Sequence, residues 1–293
     1  MEASGVNFYD VYQRSGTSIH HPSLPFTPGR EAVGRIRAFG DEVDPNVDGL
    51  QVGSRVAWIN VPESYASQVV VPAAQALPIP GEFTAAQGLL FQGLTAQFLV
   101  TEYRNIRPGD RVLVHSAAGG VGTLLAQWFK HLGAWVVGTT SSDAKAEAAR
   151  RAGIDAVINY GKEYQFLDEL MSLTEGKGVH LAIDGIGAAT LESTLKALSK
   201  GGTAVSIGMV SGLAPAIQPQ MLTNNCLRLA GGSVFSYTAE PAELQGRGRE
   251  VVEGISAGWL RLDQSTAFPL DRAADAHRAM ESRGTPGKLY LTP

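Results

Sequence analysis

The stretch RVLVHSAAGGVGTLLAQWFKHL, residues 111–132, decides the fold. Arg111 to His115 is a short β-branched and apolar run, the pattern of a buried strand. Ser116 to Gly122 is a loop of small residues. From Val121 the apolar side chains fall at Val121, Leu124, Leu125, Trp128 and Leu132, the spacing of one helical face. A glycine loop between strand and helix is the context in which such a motif signifies phosphate binding. The G-x-G-x-x-G pattern is met with Ala117 in first place, then Gly119 and Gly122, with Gly120 added. Ala117 permits the tight turn, Gly119 and Gly120 let the main chain approach a pyrophosphate, and Gly122 lets helix pack on strand. The helix N-terminus then offers unsatisfied N–H groups and a partial positive charge. A dinucleotide is therefore expected at Ala118, Gly119, Gly120 and Val121.

Downstream of the loop the same alternation repeats. Strand-like runs at 135–139, 156–158, 179–184, 204–207 and 227–230 alternate with helical patterns at 143–151, 164–173 and 188–199. That alternation implies βαβ units and a doubly wound parallel sheet, the Rossmann α/β class. Upstream of the loop the pattern is different. Glu31–Ile36, Arg55–Ile59 and Tyr65–Val71 are short β-like runs among Pro/Gly turns, and Val69-Val70-Val71-Pro72 reads as a strand ended by proline. Thr84 to Glu102 is helical in period and links the halves. The tail contains helices around 249–257 and 272–281 and a last strand at 288–291. Gly246 and Gly248 weaken the start of the first of these helices. The tail is expected to pack back on the N-terminal, β-rich unit.

With 293 residues, 44% of them hydrophobic and 18% charged, the composition is that of an ordinary globular protein of one or two domains. A net charge of −4 without a Lys/Arg cluster disfavours nucleic acid or anionic membrane as a main partner. No apolar stretch approaches membrane-spanning length, and the N-terminus lacks the basic head and apolar core of a signal peptide. Cys226 is the only cysteine, so neither an internal disulfide nor a cysteine metal cluster is available. A cytoplasmic location is the expectation.

The choice of nicotinamide coenzyme turns on the end of the next strand. An acidic residue about 20 positions past the glycines holds the ribose hydroxyl of NAD in this fold. Here that place reads Gly138-Thr-Thr-Ser-Ser-Asp-Ala-Lys145, with Thr139 and Ser142 at the counted positions. Hydroxyls and a lysine stand where a carboxylate is expected, and they donate to a phosphate. Asp143 reads, with Ser142, as part of the next helix cap. Lys145 has the alternative reading of a solvated surface charge. The pattern predicts NADPH over NADH.

These residues carry a likeness. Gly5-Val6-Asn7-Phe8-Tyr9-Asp10, Pro28-Gly29-Arg30-Glu31-Ala32-Val33-Gly34, Gly93-Leu94-Thr95-Ala96, His115 to Gly122, Val157-Ile158-Asn159-Tyr160 and Gly287-Lys288 together resemble the zinc-free, zeta-crystallin-type quinone oxidoreductases of the medium-chain dehydrogenase/reductase superfamily. The resemblance covers essentially the whole chain. It implies a discontinuous GroES-like catalytic domain at 1–92 and 237–293, a Rossmann domain at 93–236 and a cleft between them. It also implies a homodimer joined near residues 230–237. By the same resemblance Asn7, Tyr12 and Thr95 lie beside the nicotinamide, Tyr160 beside the adenosine, and Gly208, Met209, Gly232 and Arg283 near the coenzyme. Asn7 has the plainer reading of a loop residue satisfying backbone, and Tyr12 and Tyr65 of half-buried tyrosines.

Zinc relatives carry Cys at the place of Asn7 and His at the place of Arg30. Neither residue here is a zinc ligand of that kind, and His20-His21 reads as a loop pair, so no metal is expected. The activity expected is hydride transfer from NADPH to a quinone. The alternatives are reduction of the C=C bond of an enal or enone, with Tyr12 or Tyr65 as proton donor, and a shortened, non-catalytic NADPH-binding protein. Relatives carry further strands before the Gly5–Asp10 segment, so an exposed edge in the β-rich domain is also expected.

Overall fold

A computed structural model of the chain describes residues 1–18, 22–44, 49–161, 163–282 and 284–293. In chain order the elements are β1 (Ala3–Val6), α1 (Phe8–Ser15), β2 (Glu31–Arg35), β3 (Arg55–Ile59), β4 (Leu77–Pro78), α2 (Ala85–Gly88) and α3 (Phe91–Thr101). Then come β5 (Arg111–Val114), α4 (Gly120–His131), β6 (Trp135–Thr140), α5 (Asp143–Arg151), β7 (Ala156–Asn159), α6 (Leu167–Leu173) and β8 (Val179–Asp184). The chain continues through α7 (Leu191–Lys196), β9 (Leu198–Ser206), α8 (Gln220–Thr223), β10 (Arg228–Gly231) and α9 (Val234–Tyr237). It ends with α10 (Pro241–Ser256), β11 (Ser265–Pro269), α11 (Ala273–Glu281) and β12 (Lys288–Thr292). Met1–Leu94, Thr238–Ser256 and Leu262–Pro293 form one compact unit, and Thr95–Tyr237 with Ala257–Arg261 another. No helix among the described residues is long and apolar enough to cross a membrane.

The second unit is built on a sheet in the order β10-β9-β8-β5-β6-β7, with every neighbouring pair parallel. The glycine-loop strand β5 therefore lies between β6 and β8. Chain direction reverses its march across the sheet there, which makes the β5/β8 junction the topological switch point of a Rossmann fold. Leu113, Leu170, Val179 and Ala204 are fully buried in its core, and Ile158 and Phe166 nearly so. Burying a large apolar side chain stabilises by about 2 kcal/mol.

The first unit is a mixed sheet in the order β11-β12-β1-β2-β3-β4. β12 and β11 are parallel, and the remaining pairs are antiparallel. The tail thus enters the N-terminal sheet through β12, which pairs with β1. Here β1 is four small-sided residues, Ala-Ser-Gly-Val, and α1 follows it with only eight. Asn7 holds the N-cap position of α1, where the Asp10 carboxylate accepts from its main-chain N–H at 2.9 Å.

Several elements depart from the sequence-based boundaries. The single helix expected over 84–102 is two. Leu89 is extended, and the second helix starts where Glu31 Oε1 accepts from Phe91 N at 2.7 Å. Residues 65–71 form no strand. Val69 and Val71 pack inward and Val70 is 94% exposed, so the alternation is real, but no described strand pairs with the segment. The helix expected from Tyr164 begins at Leu167, and Tyr164 takes a left-handed φ of 56°. The one expected over 188–199 stops at Lys196, because Leu198 pairs with Val179 in β9. α10 begins at Pro241, through Gly246 and Gly248: helix packing overrides propensity, and Gly248 lies against Leu77.

Candidate active site and cofactor cradle

In the second unit, β5 passes into the loop through His115, whose N–H donates to Ile183 O at 3.1 Å. Ser116 adopts a φ of 52°, Ala117 N donates to Thr139 O at 3.0 Å, and Gly119 N closes a turn on Ser116 O at 2.8 Å. α4 begins at Gly120 with no side chain capping it. Its first-turn N–H groups are left for an anion. Gly122 is where the geometry is tightest. A Cβ there would stand 2.3 Å from Ser116 O and 2.9 Å from Ala117 Cα, whereas one on Gly119 would meet Ser116 O at 3.1 Å. Small side chains, an uncapped helix end and a backbone pressed against the loop fit a pyrophosphate.

At the end of β6 the expected residues divide. Thr139 is fully buried, and its hydroxyl lies 2.8 Å from His115 Nδ1. It is turned inward. Ser142 caps α5 by accepting from Lys145 N at 3.4 Å, and Lys145 Nζ donates to Ser141 Oγ at 3.1 Å. The Asp143 carboxylate accepts from Asn159 Nδ2 at 2.7 Å. Tyr160 is 7% exposed and its ring packs 4.9 Å from that of Tyr164 in the core. Gly208 and Met209 follow β9, with Gly208 pressed on Gly185. Gly232 lies against Tyr103 and Phe98. Arg283 and His20-His21 lie outside the described residues.

In the first unit, the Asn7 side chain is held on both sides. Its Nδ2 donates to Glu31 Oε2 at 2.9 Å, and its Oδ1 accepts from Lys288 Nζ at 3.1 Å. Lys288 Nζ and Glu31 Oε2 form an ion pair at 2.5 Å, with both side chains withdrawn from solvent. Glu31 thus joins three segments: Asn7 at the head of α1, Lys288 on β12 and the Phe91 amide at the head of α3. The Tyr12 ring lies 6.1 Å from that of Phe8. Thr95, on α3, is 8% exposed and is the first residue of the second unit. Sequence reasoning had Glu31 and Lys288 only as parts of motifs. The signal available was an acid and a lysine each set in an otherwise apolar strand.

The donors here do not fit zinc. The Asn7 amide is engaged at both ends, a lysine ammonium stands beside the buried Glu31 carboxylate, and the Arg30 guanidinium donates to Asn60 Oδ1 and lies 5.8 Å from the centroid of the Tyr9 ring. A cation would meet the Arg30 charge at one of the places a ligand is needed and the Lys288 ammonium beside the other.

Asp10 extends the network. Its Oδ2 accepts from Asn7 N at 2.9 Å and from the Tyr65 hydroxyl at 3.2 Å, and that hydroxyl lies 3.1 Å from His277 Nε2. Burial pushes the Asp10 carboxyl up to about 7, against the opposing Asn7 N–H and Lys288 charge. A pKa raised on folding gives stability that is present below the unfolded value of 3.8 and is lost as pH rises through 7. Relative to Asp10→Asn, the parent should therefore lose stability between pH 4 and 7, by up to about 4 kcal/mol. Urea midpoints of both proteins across that window check this, and a constant difference between them contradicts it.

Two sequence families match the chain. One, described as zinc-binding dehydrogenase, matches residues 120–246; the other, alcohol dehydrogenase GroES-like domain, matches residues 1–106. A probable quinone oxidoreductase of Schizosaccharomyces pombe is 36% identical, over 98% of this chain and 86% of its own length. A 2-haloacrylate reductase of a Burkholderia species is 34% identical, over 99% of this chain and 89% of that protein. The crystal structure of Escherichia coli quinone oxidoreductase complexed with NADPH matches with a TM-score of 0.92 at 33% identity, covering 100% of this chain and 90% of that one.

Proposed function

Because this chain belongs to the zeta-crystallin-type quinone oxidoreductases of the medium-chain dehydrogenase/reductase superfamily, we propose that it reduces a quinone with NADPH and without zinc. The observation that carries the reading is the uncapped head of α4, with Gly122 pressed to the loop at the switch point of the sheet. Main chain at Ala118, Gly119, Gly120 and Val121 holds the pyrophosphate. Ser142 and Lys145 take the adenosine phosphate, with Thr139 supporting the strand end from below. Tyr160, Gly208, Met209 and Gly232 line the rest of the coenzyme. Asn7, Tyr12 and Thr95 border the nicotinamide.

Bound NADPH supplies the hydride, and a quinone with a solvent proton yields the hydroquinone. The protein's own work is to orient and to exclude water. Asn7 suits the first task, because Glu31 and Lys288 fix both ends of its amide. Its carboxamide cannot swing as a free loop side chain would.

The coenzyme preference is directly testable. Lys145→Ala should weaken NADPH by about ten-fold, the worth of one charged hydrogen bond, and leave NADH unchanged. Fluorescence titration with both coenzymes checks it. Equal loss for both, or a parent that prefers NADH, removes the assignment.

The match to a 2-haloacrylate reductase favours a second reading, reduction of an activated C=C bond. That chemistry needs a proton donor beside the acceptor carbon. Tyr12 is the more exposed candidate, because the Tyr65 hydroxyl is engaged by Asp10 and His277. Under this reading Tyr12→Phe abolishes enone turnover and spares quinone turnover. A protein that binds NADPH but oxidises it with no member of a quinone or enone panel would instead be a non-catalytic binder.

The assembly we propose is a cytoplasmic homodimer. β10 ends its sheet and is paired only with β9 among the described residues, leaving a strand edge for a second copy. Light scattering on the purified protein decides between dimer and monomer.

A further inference from the structure

His115 and Asp184 end the two strands that flank the switch point, and both side chains are fully withdrawn from solvent. A chain of hydroxyls connects them. His115 Nδ1 lies 2.8 Å from Thr139 Oγ1, and His115 Nε2 lies 2.9 Å from Thr194 Oγ1. Thr194 has acceptors in Asp184 Oδ2 at 2.8 Å and Thr190 O at 2.9 Å. Its single proton goes to one of these, so its oxygen accepts from His115 Nε2–H. Burial holds the imidazole pKa below its ordinary value, although the Asp184 charge opposes this, so the ring is neutral near pH 7. A neutral ring protonated at Nε2 must accept at Nδ1, and the Thr139 hydroxyl is the donor there. The ring thus joins Thr139 on β6 to Thr194 on α7, and the Thr194 hydroxyl lies 2.8 Å from Asp184 at the end of β8.

The far end of the chain shapes backbone. Asp184 Oδ1 accepts from Ile186 N at 2.8 Å and Gly187 N at 3.0 Å, and both carboxylate oxygens accept from the Thr190 hydroxyl. These bonds set the turn after β8, in which Gly187 takes a φ of 91°. The loop carrying Gly208 and Met209 rests on that turn. Ser211 N donates to Ile186 O at 2.8 Å, and a Cβ on Gly208 would stand 2.5 Å from Gly185 O. There is no slack between the two segments.

We propose that His115 and Thr194 are positioning residues for the coenzyme: through Asp184 they fix the 185–187 turn, and with it the Gly208–Met209 backbone that flanks bound NADPH. This rests on the assignment of NADPH to the switch-point crevice. Neither residue touches the coenzyme. A buried polar chain with every member satisfied specifies one arrangement of three strand ends, and an apolar substitute packs without specifying it.

The test compares Thr194→Val, which keeps the shape and deletes the hydroxyl, with Thr194→Ser, which keeps the hydroxyl. Thr194→Val should raise the Kd for NADPH at least ten-fold and raise the KM for NADPH far more than that for quinone. In the coenzyme-free protein it should also speed hydrogen exchange at the Ile186 and Gly187 amides. Thr194→Ser should restore all three readouts to near parent values. If Thr194→Val does not fold, Asp184→Asn, which keeps the size and removes the charge, is measured in the same way with the same expectation. Unchanged NADPH affinity in the folded variant overturns the proposal, as does a Thr194→Ser protein that binds as weakly as Thr194→Val. A parent protein that does not bind NADPH at all is a different result, and it would strike the coenzyme assignment itself.

Discussion

Lys288→Met should cost about 3–5 kcal/mol of unfolding free energy, a large share of the roughly 5–15 kcal/mol by which native proteins are stable. The substitution conserves length and apolar packing but leaves the Glu31 carboxylate in a fully buried position. Among the described residues, Asn7 Nδ2 and the Phe91 amide would remain as its donors. Gly5 leaves no room for relaxation, since its α-carbon faces the pair so closely that a Cβ would stand 1.9 Å from Glu31 Oε2. The double variant Glu31→Gln/Lys288→Met should recover much of the loss, because the cost lies in the orphaned charge more than in the missing bond. Urea denaturation of the parent, single and double variants measures this. A single variant within about 1 kcal/mol of the parent would show the pair behaving like an exposed ion pair.

Gly122→Ala should reduce NADPH affinity by about a hundred-fold. The added methyl group would overlap Ser116 O and Ala117 Cα, both main-chain atoms. No rotamer relieves that, so α4 must move away from the loop and its N-terminal amides with it. Gly119→Ala, with its nearest contact at 3.1 Å, should be much milder on steric grounds. Titration of NADPH into both variants gives the comparison. Gly122→Ala binding within three-fold of the parent would mean that the approach of helix to loop does not set the site.

How much of this could be read from the residues depends on how local each cause is. The strand–loop–helix at 111–132 and the helix Asp143–Arg151 follow from periodicity and caps within their own windows, and the structure has them there. The break between α2 and α3 has its cause in Glu31, 60 positions earlier, which supplies the carboxylate that starts the second helix. The strand expected at 65–71 has the right alternation but lacks a partner, and alternation alone cannot supply a ladder. β11 carries little signal of its own because it owes its place to β12, which pairs with it in parallel from beyond α11.

The site divides along the same line. The glycine loop and the hydroxyls and lysine after β6 are local patterns, each contained in one short window of sequence. The orientation of Thr139 is not local, because what turns its hydroxyl inward is His115, across the strand pair. The Glu31–Lys288 pair spans 257 positions, and no window reading brings the two together. Asn7 was reached through family likeness; what the fold adds is why its amide is rigid.

The central claim is that the α4 cradle holds NADPH so that its hydride passes to a quinone. Steady-state NADPH oxidation with p-benzoquinone, run beside Gly122→Ala and in the presence of a zinc chelator, tests it most directly. Turnover by the parent should saturate in both substrates, persist in chelator and be lost in Gly122→Ala at coenzyme concentrations that saturate the parent. Absence of turnover in a parent that binds NADPH, or turnover abolished by the chelator, would contradict it.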